Sequence, residues 1–285
     1  LLLPVFCRDF GIKGIWMSVF HSISAFCNAG FDILGTTDHT FVSLTGYSRN
    51  IWLNIVIMLL IITGGIGFLT WEDFYINKFK FKRYRMQSKI ILMTTAILIF
   101  LPAIFFFTND FKMFSGEERT LLSFFQSITT RTAGFNTADM ALMTESGKAV
   151  MIFLMLIGGS PSSTAGGMKT TTFAVLILNA FATFRSREDA GAFGRRFDRQ
   201  VIKNAATIAM LYFMLFFFGG ITISVYEGLP VLTCFYEAAS AVGTVGLTLG
   251  VTPGLHIISR LILIVLMYLG RVGGMTLIYA VFSGK

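Results

Sequence analysis

Five stretches of the chain are apolar over about the length that crosses a lipid bilayer or more, and they limit the fold more than any other feature. About 20 predominantly apolar residues make a helix that spans the hydrocarbon core. Hydrophobic residues form 54% of the 285 residues and charged residues 13%, whereas a soluble domain has about a quarter charged residues. The sequence therefore predicts an all-α integral membrane protein. The stretches are residues 51–70, 90–107, 149–184, 205–225 and 255–282.

Basic residues predict how these stretches are oriented. Of the 23 Lys and Arg residues, 12 lie in two connections, one between the first and second stretches and one between the third and fourth. Connections rich in Lys and Arg face the cytoplasm, so the other, nearly neutral connections should face outward. The net charge of +8 is thus a topology signal, and without a binding motif it does not indicate a nucleic-acid partner. The 12 residues are Lys78, Lys80, Lys82, Arg83, Arg85, Lys89, Arg185, Arg187, Arg195, Arg196, Arg199 and Lys203.

Three units in the outward connections share one pattern, a short half-apolar helix followed by a strand-like segment with a central glycine. The glycines are Gly30, Gly134 and Gly246, 104 and 112 residues apart. A helix of about ten residues cannot cross the bilayer, so it must dip in and return. Non-helical backbone at this depth survives only where protein buries it or water lines it. The units are residues 16–32, 121–137 and 232–248.

Glycine segments of this kind, arranged around one axis, would form part of a ring of carbonyl oxygens. Glycine adopts φ values closed to other residues, and such a ring can replace the hydration shell of an alkali cation. The short helices would aim their partly negative C-terminal ends at the same axis. The alternative is that each segment is only a tight re-entrant turn. The candidate ion-binding residues are Asn28, Ala29, Gly30, Thr132, Ala133, Gly134, Thr244, Val245 and Gly246.

The third apolar stretch carries an insert of Gly, Ser, Thr and Pro that should break its helix. Pro161 removes a backbone donor, and the freed backbone groups would need partners such as the neighbouring hydroxyls. We interpret the insert as a flexible loop under the filter that obstructs ion passage, and the alternative is a helix kink packed with small residues. The candidate gate residues are Gly158, Gly159, Ser160, Pro161, Ser162, Ser163, Thr164, Ala165, Gly166, Gly167 and Arg271.

Arg271 belongs to that set because it lies inside the last apolar stretch, where a charge is costly unless it is paired or wetted. A cation in a cation pathway raises the local barrier, so we interpret Arg271 as part of the gate, held by loop carbonyls or hydroxyls. The alternative is an arginine that reaches the interface. Arg131 and Glu237, in or next to short helices, are interpreted as braces of the filter. Polar residues just outside the glycine segments either attract cations or cap turns, and these are Asp32, Asn136 and Asp139.

Other classes of protein fit the sequence less well. The three cysteines and three histidines are scattered, without metal-site spacing or an even set for disulfides. The hydroxyls of residues 160–164 have no His or carboxylate in their own stretch, so we predict no catalysis. A secondary transporter with inverted repeats would alternate the orientation of its units, whereas the three units here share one orientation.

Five segments together resemble the Ktr/Trk/HKT superfamily of potassium transporters, and most closely the membrane subunit of bacterial Ktr systems. The resemblance covers essentially the whole chain. It implies four span–pore-helix–span repeats around one pseudo-fourfold pore, with residues 1–73 as the second repeat, 74–184 as the third and 185–285 as the fourth. The first repeat and the first span of the second would lie outside this chain. The segments are CNAGFD at 27–32, TRTAGFNT at 130–137, AVGTVGLT at 241–248, GGSPSSTAGGMK at 158–169 and GRVG at 270–273.

The resemblance also implies what the complete protein does and binds. It would take up potassium through the filter, as a multi-pass bacterial protein of the plasma membrane. Its partners would be a second copy, giving a homodimer with one pore per subunit, and a cytoplasmic RCK-type ring of nucleotide-binding subunits through which ATP and ADP would act. The alternative is a sodium or non-selective monovalent cation channel or transporter of the same superfamily, because the first repeat's filter residue bears on the choice of ion, and sodium could also be co-bound. The central glycine of all three segments favours potassium.

Overall fold

The computed structural model describes residues 1–36, 41–187 and 189–273, and in these ranges the chain is mostly helical. One short antiparallel hairpin pairs Gly191–Ala192 (β1) with Arg195–Arg196 (β2). The predicted all-α fold class is confirmed. The helices are α1 Leu3–Phe10, α2 Lys13–Phe26, α3 Ile51–Gly65, α4 Phe68–Asn77, α5 Met86–Asn109, α6 Gly116–Thr129, α7 Glu145–Leu156, α8 Thr170–Phe184, α9 Arg199–Glu227, α10 Val231–Gly243 and α11 Ile257–Val272.

Two of the described helices are long and apolar enough to cross a bilayer by themselves. Helix α5 has 24 residues and α9 has 29, and at about 1.5 Å per residue both exceed a hydrocarbon core of about 30 Å. They contain the predicted stretches 90–107 and 205–225. Pro102 lies inside α5, and it is buried against neighbouring helices.

The first predicted span is broken in the structure. Helix α3 ends at Gly65, α4 begins at Phe68, and the two helices meet at 97°, so one straight run to residue 70 is wrong. The bend lies at Gly67, whose φ of +87° is open to glycine and rarely to other residues. A Cβ on Gly67 would also lie 2.3 Å from the carbonyl oxygen of Pro161. The turn and the close approach of another segment therefore both require glycine here.

The third apolar stretch is interrupted where the sequence predicts. Residues 157–169 separate α7 from α8 and are non-helical, as expected from the insert at 158–167. Helix α11 covers the first part of the stretch at 255–282. The rest of that stretch, after residue 273, lies outside the described residues.

The short helix of each predicted unit is too short to cross a bilayer and packs among neighbouring helices. Helices α2 and α6 have 14 residues each and α10 has 13. Helix α2 packs against α1 and α3, α6 against α3 and α5, and α10 against α7, α9 and α11. Ala238, Ala239 and Ala241 of α10 are buried, and small residues of this kind let helix backbones approach closely inside a membrane protein.

The two basic connections lie at one end of the molecule. The Lys89 Nζ is 5.5 Å from the ring centre of Phe193 and 6.0 Å from that of Phe81. The rings of Phe81 and Phe193 are themselves 6.5 Å apart. Since Phe81 belongs to the first basic connection and Phe193 to the second, the structure brings together the two connections that the sequence predicts on the cytoplasmic side.

Asp73 fixes α4 to the start of α5. Its side chain is almost fully buried, and its Oδ2 accepts hydrogen bonds from the Arg85 backbone N–H at 3.0 Å and the Ser88 hydroxyl at 2.6 Å. The neighbouring Glu72 is half exposed and pairs only with the Arg85 guanidinium, at 2.9 Å. A buried carboxylate with two donors contributes more to stability than an exposed ion pair.

We expect Asp73→Ala to destabilise the full-length protein by about 1–3 kcal/mol, because it leaves the buried Ser88 hydroxyl and the Arg85 N–H without their acceptor. Glu72→Ala is the matched control and should change stability by less than about 1 kcal/mol. Thermal unfolding in detergent, followed by intrinsic fluorescence, measures both. Equal melting temperatures for the two variants would contradict the role of Asp73.

Candidate functional site

The three glycine segments predicted from the sequence lie against one another in chain order. A Cβ on Gly30 would be 2.2 Å from the carbonyl oxygen of Ala133 and 2.9 Å from the Cα of Gly134. A Cβ on Gly134 would be 2.2 Å from the carbonyl oxygen of Val245. These contacts are backbone to backbone, so only glycine fits at either position without a shift of the chain.

Side chains join the first two segments as well. The amide of Asn28 and the hydroxyl of Thr132 are 3.3 Å apart, and both residues are buried. The structure thus brings together residues from units that are more than a hundred positions apart in the sequence.

Each segment has the same alternating backbone conformation. The central glycines have φ values of +69°, +87° and +89°. Two residues earlier, Asn28, Thr132 and Thr244 have φ values of +51°, +70° and +54°, while the residues between them do not have positive φ. This alternation lets neighbouring carbonyls turn to one side, whereas in a regular strand they point alternately to opposite sides.

The positive φ of Thr132 and Thr244 is a feature that sequence reasoning missed. A β-branched residue in the left-handed region is a genuine outlier, and such strain persists only where the surroundings hold it. The sequence contains no sign of it, because threonine at these positions would be read as extended.

Hydroxyl groups behind each segment hold its backbone. Ser24 donates to the carbonyl of Phe31 at 2.8 Å, and Thr129 donates to the carbonyl of Phe135 at 2.7 Å. The Ser240 hydroxyl accepts from the backbone N–H of Gly246 at 3.1 Å. A hydroxyl residue five or six positions before each glycine was the sequence signal that could have revealed these supports.

Glu237 makes the hydrogen bonds expected of a brace. Its buried carboxylate accepts from the hydroxyls of Thr248 and Thr252, at 2.7 and 2.8 Å, and from the backbone N–H of Leu249 at 2.9 Å. Glu237 therefore fixes the chain that leaves the third glycine segment. Arg131 is also buried, and its Nη2 lies 3.4 Å from the hydroxyl of Thr95 on α5.

Two of the three polar residues outside the segments cap turns. Asp32 accepts from the backbone N–H of Leu34 at 3.1 Å, and Asp139 accepts from that of Ala141 at 2.9 Å. The backbone N–H of Asn136 donates to Ser43. Asp32 and Asp139 therefore cap turns, whereas the side-chain oxygen of Asn136 has no hydrogen-bond partner among the described residues, and attraction of cations stays a prediction.

The non-helical loop at residues 157–169 closes on itself at its base. The backbone N–H of Gly158 donates to the carbonyl of Met168 at 2.8 Å, and that of Thr170 donates to Gly159 at 3.0 Å. The hydroxyls of Ser160 and Thr170 are 3.0 Å apart. The two ends of the loop, where α7 ends and α8 begins, are therefore held together.

The same loop is fixed to the break between α3 and α4. The Ser160 N–H donates to the carbonyl of Gly65 at 2.9 Å, and the Phe68 N–H donates to the carbonyl of Ser162 at 2.9 Å. The Thr164 hydroxyl donates to the carbonyl of Phe26, at the C-terminal end of α2, at 3.1 Å. Two interruptions of helical backbone thus supply each other's hydrogen bonds.

The loop also touches the third glycine segment and Arg271. A Cβ on Gly166 would lie 2.0 Å from the hydroxyl oxygen of Thr244. The Arg271 Nη1 donates to the carbonyl of Thr164 at 2.9 Å, the kind of contact that the sequence analysis expected. Lys169 donates to the carbonyl of Ala165 at 2.7 Å. Residues from three separate parts of the sequence meet here.

A cavity of about 1310 Å³ adjoins the glycine segments, with Ala29, Thr244, Gly246 and Arg271 in its wall. Within the described part of the chain, no three His, Cys, Asp or Glu side chains come close enough to hold a metal ion.

Three short helices, each followed by a glycine segment in backbone contact with another such segment, define a membrane protein of the pore-helix class. The chain belongs to the TrkH family of cation transport proteins, whose family model matches residues 6–283. The predicted resemblance is confirmed, and so is the prediction of a transport protein rather than an enzyme.

Relatives and a solved structure agree with this membership. The chain is 40% identical over 289 residues to the potassium/sodium uptake protein NtpJ of Enterococcus hirae, covering 98% of this chain and 62% of that protein. It is 34% identical over 274 residues to the Ktr system potassium uptake protein B of Bacillus subtilis, covering 94% and 60%. The crystal structure of the potassium transporter TrkH from Vibrio parahaemolyticus shares the fold, with a TM-score of 0.75, 20% identity and coverage of 98% and 61%. The chain thus spans about three fifths of the length of these proteins.

We expect Gly134→Ala to lower the melting temperature of the full-length protein more than Gly250→Ala does. Both glycines have a φ of +87°, so both variants share a backbone strain of about 1–3 kcal/mol. Only at Gly134 would the new Cβ meet another backbone, at 2.2 Å, whereas nothing lies within 4 Å at Gly250. Equal losses, measured by thermal unfolding in detergent, would contradict the packing of the glycine segments described above.

Proposed function

We propose that the complete protein takes up potassium across the plasma membrane through a pore to which this chain contributes three filter segments. The observation that carries the proposal is the backbone contact of the three glycine segments in chain order. The candidate ligands are the carbonyls of residues 28–30, 132–134 and 244–246. The printed functions of the Enterococcus hirae and Bacillus subtilis relatives, potassium/sodium and potassium uptake, support the choice of ion.

The electrostatics of the site favour a monovalent cation. Carbonyl dipoles can replace a hydration shell, and the negative ends of α2, α6 and α10 approach the same segments. A site of dipoles without a cluster of carboxylates binds a cation weakly enough to release it. This is what conduction requires.

Sodium is the second candidate ion, transported alone or together with potassium. It is favoured by the name of the Enterococcus hirae relative, which includes both ions. Potassium is favoured by the glycine at the centre of each of the three segments. With glycine at each centre, all three segments can adopt the same backbone conformation and direct their carbonyls to the ring in the same way.

Flux through the full-length protein in liposomes tests the choice of ion. We expect rubidium, which stands in for potassium, to enter at least about tenfold faster than sodium, a difference of about 1.4 kcal/mol in the barrier. Equal permeation of the two ions would reject the potassium proposal and support a non-selective pathway. Protein-free liposomes give the background flux.

The loop at residues 158–167 is the proposed gate, with Arg271 as its partner. Three contacts support this role: Gly166 lies against Thr244 of the third filter segment, Thr164 bonds to the end of α2, and Arg271 donates to the Thr164 carbonyl. The loop lies between the filter segments and the basic end of the molecule. A cation held at this level raises the barrier for another cation.

Replacing Arg271 with Ala should raise basal rubidium flux severalfold, because it removes both the charge and a hydrogen bond that holds the loop. Arg260→Ala is the matched control: it lies on the same helix and borders the same cavity, but donates to Pro253 instead of the loop. Liposome flux of both variants is the measurement. Unchanged or lower flux in Arg271→Ala would reject the gate assignment.

The assembly around this chain is part of the same proposal. We assign residues 1–73, 74–184 and 185–285 to the second, third and fourth repeats of a four-repeat pore. The complete membrane subunit would form a homodimer and rest on a cytoplasmic RCK-type ring, which would respond to ATP and ADP. Support comes from the Bacillus subtilis relative, which is a component of a Ktr system.

A further inference from the structure

Helix α4 runs nearly at right angles to α3, with an angle of 97° between the two helices. Helix α3 has 15 residues, or about 22 Å, which is shorter than a hydrocarbon core of about 30 Å. If α3 runs along the bilayer normal from its outer end, α4 lies in the membrane plane close to the cytoplasmic boundary. The basic connection that follows α4 agrees with this placement.

The exposed and buried faces of α4 are the reverse of those on a helix that faces water. Thr70 and Asp73 point into the protein and are each 2% exposed. The outward face carries Leu69, Tyr75 and Ile76, and Tyr75 is 85% exposed. A helix that packs on a protein in water buries its apolar face instead. The outward face of α4 therefore suits an apolar medium.

A basic and aromatic segment follows directly after α4. Residues 78–83 read Lys-Phe-Lys-Phe-Lys-Arg, and Phe79 is 89% exposed. The four basic side chains of this segment are exposed and form no ion pair with any described residue. By contrast, Arg85 pairs with Glu72 and Asp73, and Lys89 donates to the carbonyl of Lys82.

The position of this surface is fixed by the fold. Asp73 ties α4 to the start of α5, and the backbone N–H of Phe68 donates to the carbonyl of Ser162. The Tyr84 hydroxyl donates to the carbonyl of Lys78 at 2.5 Å, which closes the segment back on itself. The basic side chains are therefore presented from a defined place beside the apolar face of α4.

We propose that α4 and residues 78–83 form a binding site for anionic lipid headgroups on the cytoplasmic leaflet. Tyr75, Ile76 and Phe79 enter the region between headgroups and acyl chains, where amphipathic helices and aromatic rings reside. Lys78, Lys80, Lys82 and Arg83 then lie at the level of the phosphates. Positive charge meets negative headgroups directly beside apolar side chains that meet lipid tails.

A lipid surface fits this region better than a protein partner does. A protein-binding patch would be expected apart from the surface that faces lipid. Here the unpaired cations directly follow the apolar face of an in-plane helix. The Phe79 ring is 89% exposed between two of the cations, and membrane interfaces are enriched in aromatic rings. The same basic residues on a water-facing loop, without the apolar neighbours, would give only weak and general attraction.

Lipid titration of the delipidated full-length protein, with bound lipids counted by native mass spectrometry, tests the site. The probes are phosphatidylglycerol and phosphatidylcholine. The variant is Lys80→Gln/Lys82→Gln/Arg83→Gln, and the matched control is Arg185→Gln/Arg187→Gln/Arg195→Gln, which removes three exposed charges from the other basic connection. Size-exclusion profiles confirm that both variants are folded.

We expect the variant to raise the apparent Kd for the first phosphatidylglycerol roughly tenfold or more, because each basic residue near a charged surface adds to the attraction. The control should change that Kd less than about twofold and phosphatidylcholine should be unaffected. An unchanged Kd in the variant, or an equal loss in the control, would overturn the proposal. The proposal would also be overturned if the variant kept its affinity for phosphatidylglycerol but no longer captured a cytoplasmic protein. That result would identify the region as a protein interface. The measurement needs no ion flux, so it fails or succeeds independently of the proposed transport.

Discussion

Backbone that is neither helix nor sheet must find hydrogen-bond partners when it lies inside an apolar medium, and most of this structure follows from that requirement. An unsatisfied N–H or C=O there costs several kcal/mol. The break at Gly65–Phe68 and the loop at residues 157–169 would each be costly alone. Together they satisfy each other, because Ser160 donates to Gly65 and Phe68 donates to Ser162. Removing either interruption would leave backbone groups of the other without hydrogen-bond partners.

This mutual dependence makes the loop a junction between distant parts of the chain. It touches the end of α2 through Thr164, the third glycine segment through Gly166, and α11 through Arg271. The N-terminal residue of α4, Phe68, also donates a backbone hydrogen bond to the loop. A displacement of the loop must therefore break contacts with several helices together, which favours two discrete positions over a continuous range.

Much of this arrangement could be predicted from the sequence, and the reasons for the rest are specific. Apolar length revealed α5 and α9, and repetition revealed the units around Gly30, Gly134 and Gly246. The bend at Gly67 was missed because residues 51–70 are apolar throughout, and hydropathy carries no information on a φ of +87°. The loop's contact with Arg271 was expected, but its partners on α2 and α3 were missed, because Thr164 and Gly64, for example, are 100 residues apart. The left-handed Thr132 and Thr244 had no local signal, since their neighbours impose that conformation.

The three glycine segments share a backbone but not its supports. Ser24 and Thr129 donate to carbonyls, whereas Ser240 accepts from an N–H. Beyond these hydroxyls, the second segment has the buried Arg131 beside it, and the third has the carboxylate of Glu237 beneath its exit. The proposed cation ligands are the carbonyls, whose directions depend on φ and ψ, so a pore of this kind would constrain that geometry alike in each unit. The supporting side chains only have to hold it, and chemically different groups achieve this in each unit. The three units therefore repeat a backbone conformation more than a set of side chains. For this reason the glycines align while the residues around them differ.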